Sequence, residues 1–316
     1  MSVLRMVDQF KVLSIQSHVV SGYVGNKSAC FPLQVLGIEV DFINSVQFSN
    51  HTEYGLLKGQ VLDEKELGEL LEGLAGNRLD RSYTHLLTGY IGSTGFLHKV
   101  AEVVKYLKDI CPNMSYICDP VMGDNGHMYV PKELLPIYRD TIVPLADIIT
   151  PNQYEVELLI GKSINQLSDM WAAIDWFHQQ GVKTVAISSS QLGTGKNLLA
   201  LASSIAEGKK SQVTIEIPLL DATFTGTGDL FAALFLAWMA KSEGELSEAM
   251  EKTVSTLQAV LRRTLEMAKL NAGEEGKLSV QDLELRLIQS KQDIENPVVT
   301  IKAKRIIYKI EESFYK

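Results

Sequence analysis

The chain has 316 residues, of which 46% are apolar and 22% are charged. This balance is typical of a globular protein with a substantial core, and it excludes a disordered or collagen-like chain. The net charge is −8, from 30 basic and 38 acidic residues, and no long basic run is available to neutralise nucleic-acid phosphates. The longest apolar run, residues 230–240, is about half of what a bilayer requires. We therefore expect a soluble, cytoplasmic protein with neither a nucleic acid nor a membrane as its partner.

The cysteines and histidines form no recognisable metal or disulfide pattern. Cys30, Cys111 and Cys118 are an odd number and include no Cys-x-x-Cys pair, which argues against a disulfide scaffold or a structural zinc. The histidines lack paired metal spacing and are interpreted as surface or capping groups. They are His18, His51, His85, His98, His127 and His178.

Short segments rich in β-branched residues alternate with longer helical patterns along the chain. Strands are predicted at residues 12–15, 38–43, 85–88, 116–118, 148–149 and 184–187. Helices are predicted at residues 64–74, 95–110, 152–160, 166–180, 230–240 and 247–271. The alternation predicts an α/β fold, with a central, mostly parallel sheet and helices on both faces.

Residues 197–203 and 213–217 have a different pattern, because the second run alternates apolar and polar residues. With a turn at residues 207–210, they predict an antiparallel hairpin at one edge of the sheet. No linker or repeat interrupts the chain, so a single domain over residues 1–316 is predicted. Residues 1–10 and about 297–316 are expected to be terminal extensions. The second is an exposed edge strand or a tail, and no function is assigned to it.

The motif Thr225-Gly226-Thr227-Gly228-Asp229 directly precedes the most apolar predicted helix. Glycines allow the backbone to approach a ligand closely, and the free N–H groups at a helix start form an anion hole. Asp229 is placed to accept the proton of a substrate hydroxyl while those N–H groups stabilise a transferring phosphoryl group. The alternative is an ordinary turn in which the carboxylate complements the helix dipole.

Acidic residues follow two of the predicted strands. Asp119 and Asp124 come after the strand at 116–118, and Asn152 and Glu155 come after the strand at 148–149. Open α/β sheets bind their ligands at the carboxyl ends of the strands, and oxygen ligands suit Mg²⁺ beside phosphates. Asn152 and Glu155, three residues apart, equally fit a capping pair at a helix start.

Together these motifs are similar to the ribokinase superfamily of ATP-dependent kinases. Residues 14–19, 22–26, 44–52 and 87–90 resemble the pyridoxal kinase family in particular, closest to its eukaryotic form. The resemblance runs from about residue 12 to about residue 296. It implies a ribokinase-like three-layer sandwich and ATP-dependent phosphorylation of the 5′-hydroxymethyl group of pyridoxal, pyridoxine or pyridoxamine. It also implies a divalent cation with ATP (Mg²⁺ or Zn²⁺), a monovalent cation (K⁺) and a homodimer.

The resemblance also implies roles for individual residues. Asp229 matches the catalytic base, and Gly226, Thr227 and Gly228 match its anion hole. The positions that contact the vitamer are Ser17, Val46, Phe48, Thr52, Tyr90 and Asp229. The positions around ATP are Asp119, Asn152, Ser188, Ser189, Phe224, Thr227 and Leu261. The positions that match cation ligands are Asp119, Asp124, Thr150, Glu155 and Ser188.

Two departures from the family pattern and two alternative functions stand beside this interpretation. The loop at residues 125–127 is shorter than in vertebrate members, and Ser188 stands where eukaryotic members usually have Thr. One alternative is a hydroxymethylpyrimidine kinase of the same fold, although the sequence lacks the Gly-Gly pair of that family. The other is a catalytically silent B6-binding protein on a kinase fold.

Overall fold

The computed structural model describes residues 10–272 and 278–306, and its centre is a large β-sheet. The strands of this sheet are β1 (Lys11–Val19), β2 (Glu39–Phe48), β3 (Gly59–Val61), β4 (His85–Thr88), β5 (Ser115–Cys118), β8 (Ile148–Ile149), β9 (Thr184–Ile187), β10 (Asn197–Ala206), β11 (Lys209–Pro218) and β12 (Lys304–Arg305). A separate two-stranded hairpin consists of β6 (Gly123–Asp124) and β7 (His127–Met128). The order in the large sheet is β12-β11-β10-β9-β8-β5-β4-β1-β2-β3.

The middle of the sheet is parallel, as predicted. Strands β2, β1, β4, β5, β8 and β9 are parallel neighbours, so their carboxyl ends meet at one edge. Both faces of β1, β4, β5, β8 and β9 are covered, and successive residues of β4, Leu86 and Leu87, pack into opposite cores. The predicted hairpin is confirmed as β10 and β11, which pair antiparallel beside β9. Among the described residues only β12 lies outside it, as an exposed edge strand.

Helices form a layer on each face of the sheet. Their bounds are α1 (Asn26–Val35), α2 (Glu64–Gly76), α3 (Thr94–Ile110), α4 (Leu134–Ile137), α5 (Gln153–Ile160), α6 (Leu167–Gln179), α7 (Thr227–Lys241), α8 (Leu246–Ala272) and α9 (Lys291–Glu295). Short 3₁₀ or π turns occur at Leu79–Ser82, Tyr138–Ile142, Val143–Leu145 and Ile288–Ser290. Helices α2 to α6 contribute to one core, and α1 and α7 to α9 contribute to the other. The three-layer sandwich predicted from the motifs is confirmed.

Helix α7 is largely buried, and its start positions the predicted anion hole. Every residue from Leu230 to Trp238 is buried. The helix begins at Thr227, three residues before its predicted start, because Gly226 caps it in the left-handed conformation with φ 84°. Asp229 therefore lies in the first turn of the helix, as expected.

The prediction missed several elements near the amino terminus. Strands β1 and β2 extend well past their predicted ends, and helix α1 was not predicted at all. Pro32 lies inside α1, which disfavours a helix on sequence grounds. The start of α1 is held by Asn26, whose Nδ2 donates to the Ile43 carbonyl at 2.9 Å and whose Oδ1 accepts from Ser14 Oγ at 2.7 Å. Strands β3, β6 and β7 were missed as well.

The outermost parts of the two expected extensions, residues 1–9 and 307–316, lie outside the described residues. Within the described ranges, none of the helices combines the length and the apolar character that crossing a bilayer demands.

Candidate active site

The start of helix α7 presents free backbone donors. The first hydrogen bond within the helix runs from the Leu230 N–H to the Gly226 carbonyl, at 3.1 Å. The N–H groups of Thr227, Gly228 and Asp229 come before this bond and have no partner within the helix. Gly226 is required here, since a methyl group at this position would collide with the carbonyl of Tyr23. With the positive end of the helix dipole, these donors make a site for an anion.

Asp229 lies directly beside these donors. Its Oδ2 accepts a hydrogen bond from the Gly25 N–H at 2.8 Å, and the side chain is half-buried. Burial raises the pKa of Asp229 to about 6, and the hydrogen bond from Gly25 opposes a larger rise. A carboxylate with this pKa is ionised at neutral pH and still basic enough to accept a proton from an alcohol as a new bond forms.

Gly25 connects Asp229 to the first predicted vitamer position. Gly25 has φ 54°, and a methyl group on it would collide with both the carbonyl and the Oγ of Ser17. Ser17, Gly25 and Asp229 are therefore in contact in that order. The structure thus brings together two predicted site residues that are far apart in sequence, and it adds Gly25, which was not predicted.

The remaining vitamer positions lie at the carboxyl ends of β2 and β4. Val46 is buried and Phe48 is half-buried, and the Phe48 carbonyl accepts from the Val20 N–H at 2.8 Å. Tyr90 is half-buried just after β4, and its carbonyl accepts from Ser45 Oγ at 3.2 Å. Thr52 is exposed on the turn that follows β2. Apolar side chains with a few fixed polar groups suit a small aromatic ligand.

Buried acids lie at the ends of β5 and β8. Asp119 and Glu155 are 3% and 4% exposed. Glu155 accepts the N–H groups of Met122 at 3.0 Å and of Asn152 at 2.9 Å, and Asn152 Oδ1 accepts the Glu155 N–H at 2.9 Å. Asn152 and Glu155 thus form a capping box on α5, so the capping interpretation is confirmed. The same pair also holds the 119–124 loop against the helix.

Burial is the main cause of the raised pKa values of these two acids. It raises the pKa of Glu155 to about 8, against the opposing effect of the N–H groups that Glu155 accepts. Burial and the charges of Glu155 and Asp229 raise the pKa of Asp119 well above its ordinary value. Acids in this state gain stability from a bound cation, which removes the penalty of burying their charge.

Two buried oxygens at the ends of β5 and β8 lack hydrogen-bond partners within the described ranges. Asp119 Oδ2 and Thr150 Oγ1 are buried and have no hydrogen-bond partner among the described residues. Across residues 10–272 and 278–306, no group of three His, Cys, Asp or Glu side chains is placed to hold a metal ion. A cation here would therefore need hydroxyl, phosphate or water oxygens as further ligands, which is usual for Mg²⁺ beside phosphates.

A cavity of about 580 Å³ opens next to the start of α7. Six of the seven residues predicted to contact ATP line it, and Asp124 and Gly228 line it as well. The six are Asn152, Ser188, Ser189, Phe224, Thr227 and Leu261. The seventh, Asp119, lies behind Gly228, where a methyl group on the glycine would be 3.6 Å from Asp119 Oδ2. The cavity has the size and the mixed polar and apolar lining of a nucleotide site.

The interpretation of His51 as a surface or capping group was wrong. His51 is 6% exposed, and its Nε2 lies 3.0 Å from Glu284 Oε1. No sequence pattern connects these two residues, because they meet only through the packing of distant segments. Gln258 on α8 was missed too, although it lies one turn before Leu261 and lines the same cavity.

A helix start that binds anions, a carboxylate in its first turn and a nucleotide-sized cavity beside buried acids define a phosphotransferase that acts on an alcohol. The family model described as phosphomethylpyrimidine kinase matches residues 77–274. This range includes Asp119, Thr150 and Asp229 but not the vitamer positions from Ser17 to Thr52.

Curated relatives cover nearly the whole chain. Human pyridoxal kinase is 50% identical, over 94% of this chain and 99% of the human protein. Pyridoxal kinase of Arabidopsis thaliana is 52% identical, over 94% of this chain and 95% of the plant protein. The solved structure of Leishmania donovani pyridoxal kinase with ADP and pyridoxamine superposes with a TM-score of 0.86 at 34% identity, over 94% of this chain and 99% of that one. The chain belongs to the pyridoxal kinase family, as its motifs predicted.

Proposed function

We propose that this protein transfers the γ-phosphoryl group of ATP to the 5′-hydroxymethyl group of pyridoxal, pyridoxine or pyridoxamine, with Asp229 as the general base. The observation that carries the proposal is the position of Asp229. It lies in the first turn of α7, held by the Gly25 N–H at 2.8 Å, with Ser17 on one side and the 580 Å³ cavity on the other. Membership of the pyridoxal kinase family supports the choice of substrate.

The substrate alcohol binds to the residues at the ends of β1, β2 and β4, which we call the vitamer side of the site. Val46 and Phe48 form the apolar wall for the pyridine ring, and Ser17, Thr52 and Tyr90 supply polar groups for the ring substituents. Because Ser17 and Asp229 both contact Gly25, a ring bound at Ser17 has its hydroxymethyl group within reach of the base. Such positioning supplies much of the rate in phosphoryl transfer.

The reaction exchanges one P–O bond for another. The 5′-oxygen of the vitamer forms a bond to the γ-phosphorus as the bond between that phosphorus and the β,γ-bridging oxygen breaks, which releases ADP. Asp229 takes the proton of the hydroxyl group as the new bond forms. The N–H groups of Thr227, Gly228 and Asp229 stabilise the negative charge on the transferring group.

The nucleotide side binds ATP in the cavity. Phe224 and Leu261 make apolar contacts with the adenine, while Asn152, Ser188 and Ser189 supply polar groups along its length. Thr227 closes the phosphate end of the cavity at the helix start. Asp124 and the short loop after it lie at the same end.

Cations complete the nucleotide side in this proposal. Asp119, Asp124, Thr150, Glu155 and Ser188 would hold a divalent cation, Mg²⁺ or Zn²⁺, and a monovalent cation, K⁺. The unpartnered oxygens of Asp119 and Thr150 and the high pKa of Asp119 support this role. When bound, the cations neutralise the charge of the phosphates and bring the ionisation of the buried acids to its ordinary range.

The test of the function is ADP release by the purified full-length protein with MgATP and K⁺. Pyridoxal, hydroxymethylpyrimidine and ribose are offered separately, and Asp229→Ala is the control. Turnover on pyridoxal alone, lost in the variant, is the expected result. Turnover on hydroxymethylpyrimidine alone would establish the alternative kinase, and pyridoxal binding without any turnover would establish a silent binding protein.

The family resemblance extends the proposal to the assembly and the compartment. We expect a homodimer, so light scattering should give twice the 35.0 kDa mass of the chain. We also expect the protein to act in the cytoplasm, which microscopy of a tagged chain would test.

A further inference from the structure

We propose that Glu284 is a positioning residue for the vitamer side of the site. Its carboxylate holds two separate segments in place, the loop at residues 20–25 and the turn at residues 51–54. This inference rests on the proposed function and names a residue through which that site keeps its shape.

The chain around Glu284 is fixed by its neighbours. Leu285 and Leu287 are fully buried in the core that α1, α7 and α8 share. Between them, the Arg286 N–H donates to Thr264 Oγ1 on α8 at 3.0 Å. The side chain of Glu284 is only 15% exposed. Because the backbone on its carboxyl side is anchored, the Glu284 side chain extends from a fixed point of the chain.

Three groups from two segments converge on this carboxylate. The Tyr23 N–H donates to Oε2 at 3.0 Å, and the Tyr54 hydroxyl donates to Oε1 at 2.9 Å. His51 Nε2 lies 3.0 Å from the same Oε1. Burial by itself would raise the pKa of Glu284, but the bonds with His51, Tyr54 and the Tyr23 N–H lower it below its ordinary value. The carboxylate is therefore ionised, and charge-assisted hydrogen bonds of this kind are stronger than neutral ones.

The first segment connects Glu284 to the catalytic base. Tyr23 is bound by Glu284, and two residues later the Gly25 N–H is bound by Asp229. Between these two anchors, the Tyr23 carbonyl packs against Gly226 at the start of α7. A shift of Tyr23 away from Glu284 would therefore move Gly25 relative to both Asp229 and Ser17.

The second segment carries a vitamer contact. Thr52 lies between His51 and Tyr54, the two side chains that Glu284 holds. The rings of His51 and Tyr54 are also in contact, with centroids 4.8 Å apart. Glu284 thus controls the position of Thr52 as well as that of Gly25, while none of its three hydrogen-bonding partners lines the nucleotide cavity.

The test is Glu284→Gln in the full-length protein, with steady-state kinetics in both substrates. We expect the KM for pyridoxal to rise about tenfold, the scale for loss of a charge-assisted hydrogen bond, while the KM for ATP stays within about twofold. The matched control is Asp293→Asn on α9, which removes a carboxylate bound to Arg263 Nη2 at 2.6 Å in the same part of the chain. This control should change neither KM.

A second variant separates positioning from general loss of stability. Tyr54→Phe keeps the ring and removes one donor to Glu284, so it should raise the KM for pyridoxal by a few-fold. In the Glu284→Gln background it should add almost nothing, because the hydroxyl acts through Glu284. If the Glu284→Gln protein does not fold, the Tyr54→Phe variant alone tests the proposal. Its KM for pyridoxal should rise while its KM for ATP stays unchanged.

Two results would overturn the proposal. One is an unchanged KM for pyridoxal in folded Glu284→Gln or Tyr54→Phe protein, and the other is an equal rise in both KM values. Failure of the proposed function is a separate result, since the wild-type protein would then not turn over pyridoxal. In that event, calorimetric titration of pyridoxal into wild-type and Glu284→Gln protein tests the positioning role alone.

Discussion

The nucleotide side and the vitamer side of this site are built in different ways. On the nucleotide side, Asp119, Thr150 and Ser188 each directly follow a strand of the parallel sheet. On the vitamer side, the decisive bonds join Gly25 to Asp229, 204 positions apart, and Tyr23 to Glu284, 261 positions apart. The first side follows largely from the topology of one sheet, whereas the second also depends on how distant segments pack against the strand ends.

The pKa values of the buried acids also differ between the two sides. The nucleotide side holds buried acids with raised pKa values and two oxygens that lack partners among the described residues. The vitamer side holds Glu284, whose pKa is lowered by the groups that surround it. Under the proposed function, ligands would complete the nucleotide side, whereas the protein's own hydrogen bonds organise the vitamer side before a ligand binds.

The largest expected effect comes from the residue at which the two sides meet. Asp229→Asn keeps an oxygen for the Gly25 N–H but removes the base, so turnover should fall by about a hundredfold or more. Binding of ATP, measured by calorimetry, should remain close to that of the wild-type protein. Near-normal kcat in this variant would contradict the assignment of Asp229 as the base.

Gly226→Ala should affect both sides at once. The alanine methyl group would collide with the Tyr23 carbonyl, and the residue must keep φ 84°. We expect at least a tenfold loss of turnover and a fall of about 2 kcal/mol or more in the free energy of unfolding. Gly161→Ala is the matched control, since it has φ 67° with open space around it and should lose only about 1 kcal/mol and no activity. Equal losses in the two variants would show that contact with Tyr23 is unimportant.

The pH dependence of turnover should report the pKa of Asp229. The base acts only when it is deprotonated, so activity is present above its pKa of about 6 and is lost as the pH falls through that value. Turnover near pH 5 should be about tenfold lower than near pH 7. Circular dichroism at each pH controls for unfolding. An acid limb centred near the ordinary carboxylate value of 3.8 would mean that burial does not act on Asp229 as described.

Thr150→Val should affect the nucleotide side alone. It removes a buried hydroxyl with no protein partner among the described residues and keeps the shape of the side chain. We expect activation by K⁺ to weaken by about tenfold or less while the KM for pyridoxal is unchanged. Thr253→Val is the control, because this fully buried hydroxyl on α8 also lacks a partner in the described ranges but is not one of the predicted cation ligands. A similar loss in both variants would remove the case for a cation ligand.

The smallest effect is expected at the edge strand β12. Arg305 pairs there with Glu245 at 3.0 Å, and both side chains are largely exposed. Arg305→Ala should lower the free energy of unfolding by less than about 1 kcal/mol and leave both KM values unchanged. A clear change in the KM for pyridoxal would give the C-terminal extension a role that neither side of the site now assigns to it.

The prediction of the fold was most accurate where burial follows local periodicity. The strands at β4, β8 and β9 were predicted with their observed bounds, because short apolar runs covered on both faces are distinctive. Strand β1 was predicted too short because Gln16 and Ser17 are polar. Both are nevertheless buried, and Gln16 is held by its Nε2 bond to Ser14 Oγ at 2.9 Å. A polar side chain that finds its partner inside the protein cannot be distinguished from an exposed one by pattern alone.

Short-range motifs determined much of the candidate site as well. A glycine pair before an apolar helix indicates an anion hole, and acids after strands indicate oxygen ligands, because the geometry of strand ends and helix starts is local. The buried pair of His51 and Glu284 was missed, since a histidine without a neighbouring partner in sequence is most simply explained as a surface group.

The amino-acid sequence by itself determined the layers of this protein, the glycine motif that precedes α7 and the residues at the ends of its parallel strands. Only the tertiary structure decided that Gly25 holds Asp229 beside Ser17 and that Glu284 holds Tyr23 and the 51–54 turn. The physical reason is the range of the interactions. Periodicity, capping and turn chemistry act over a few residues, whereas a hydrogen bond between segments more than 200 positions apart exists only after the core has brought them together.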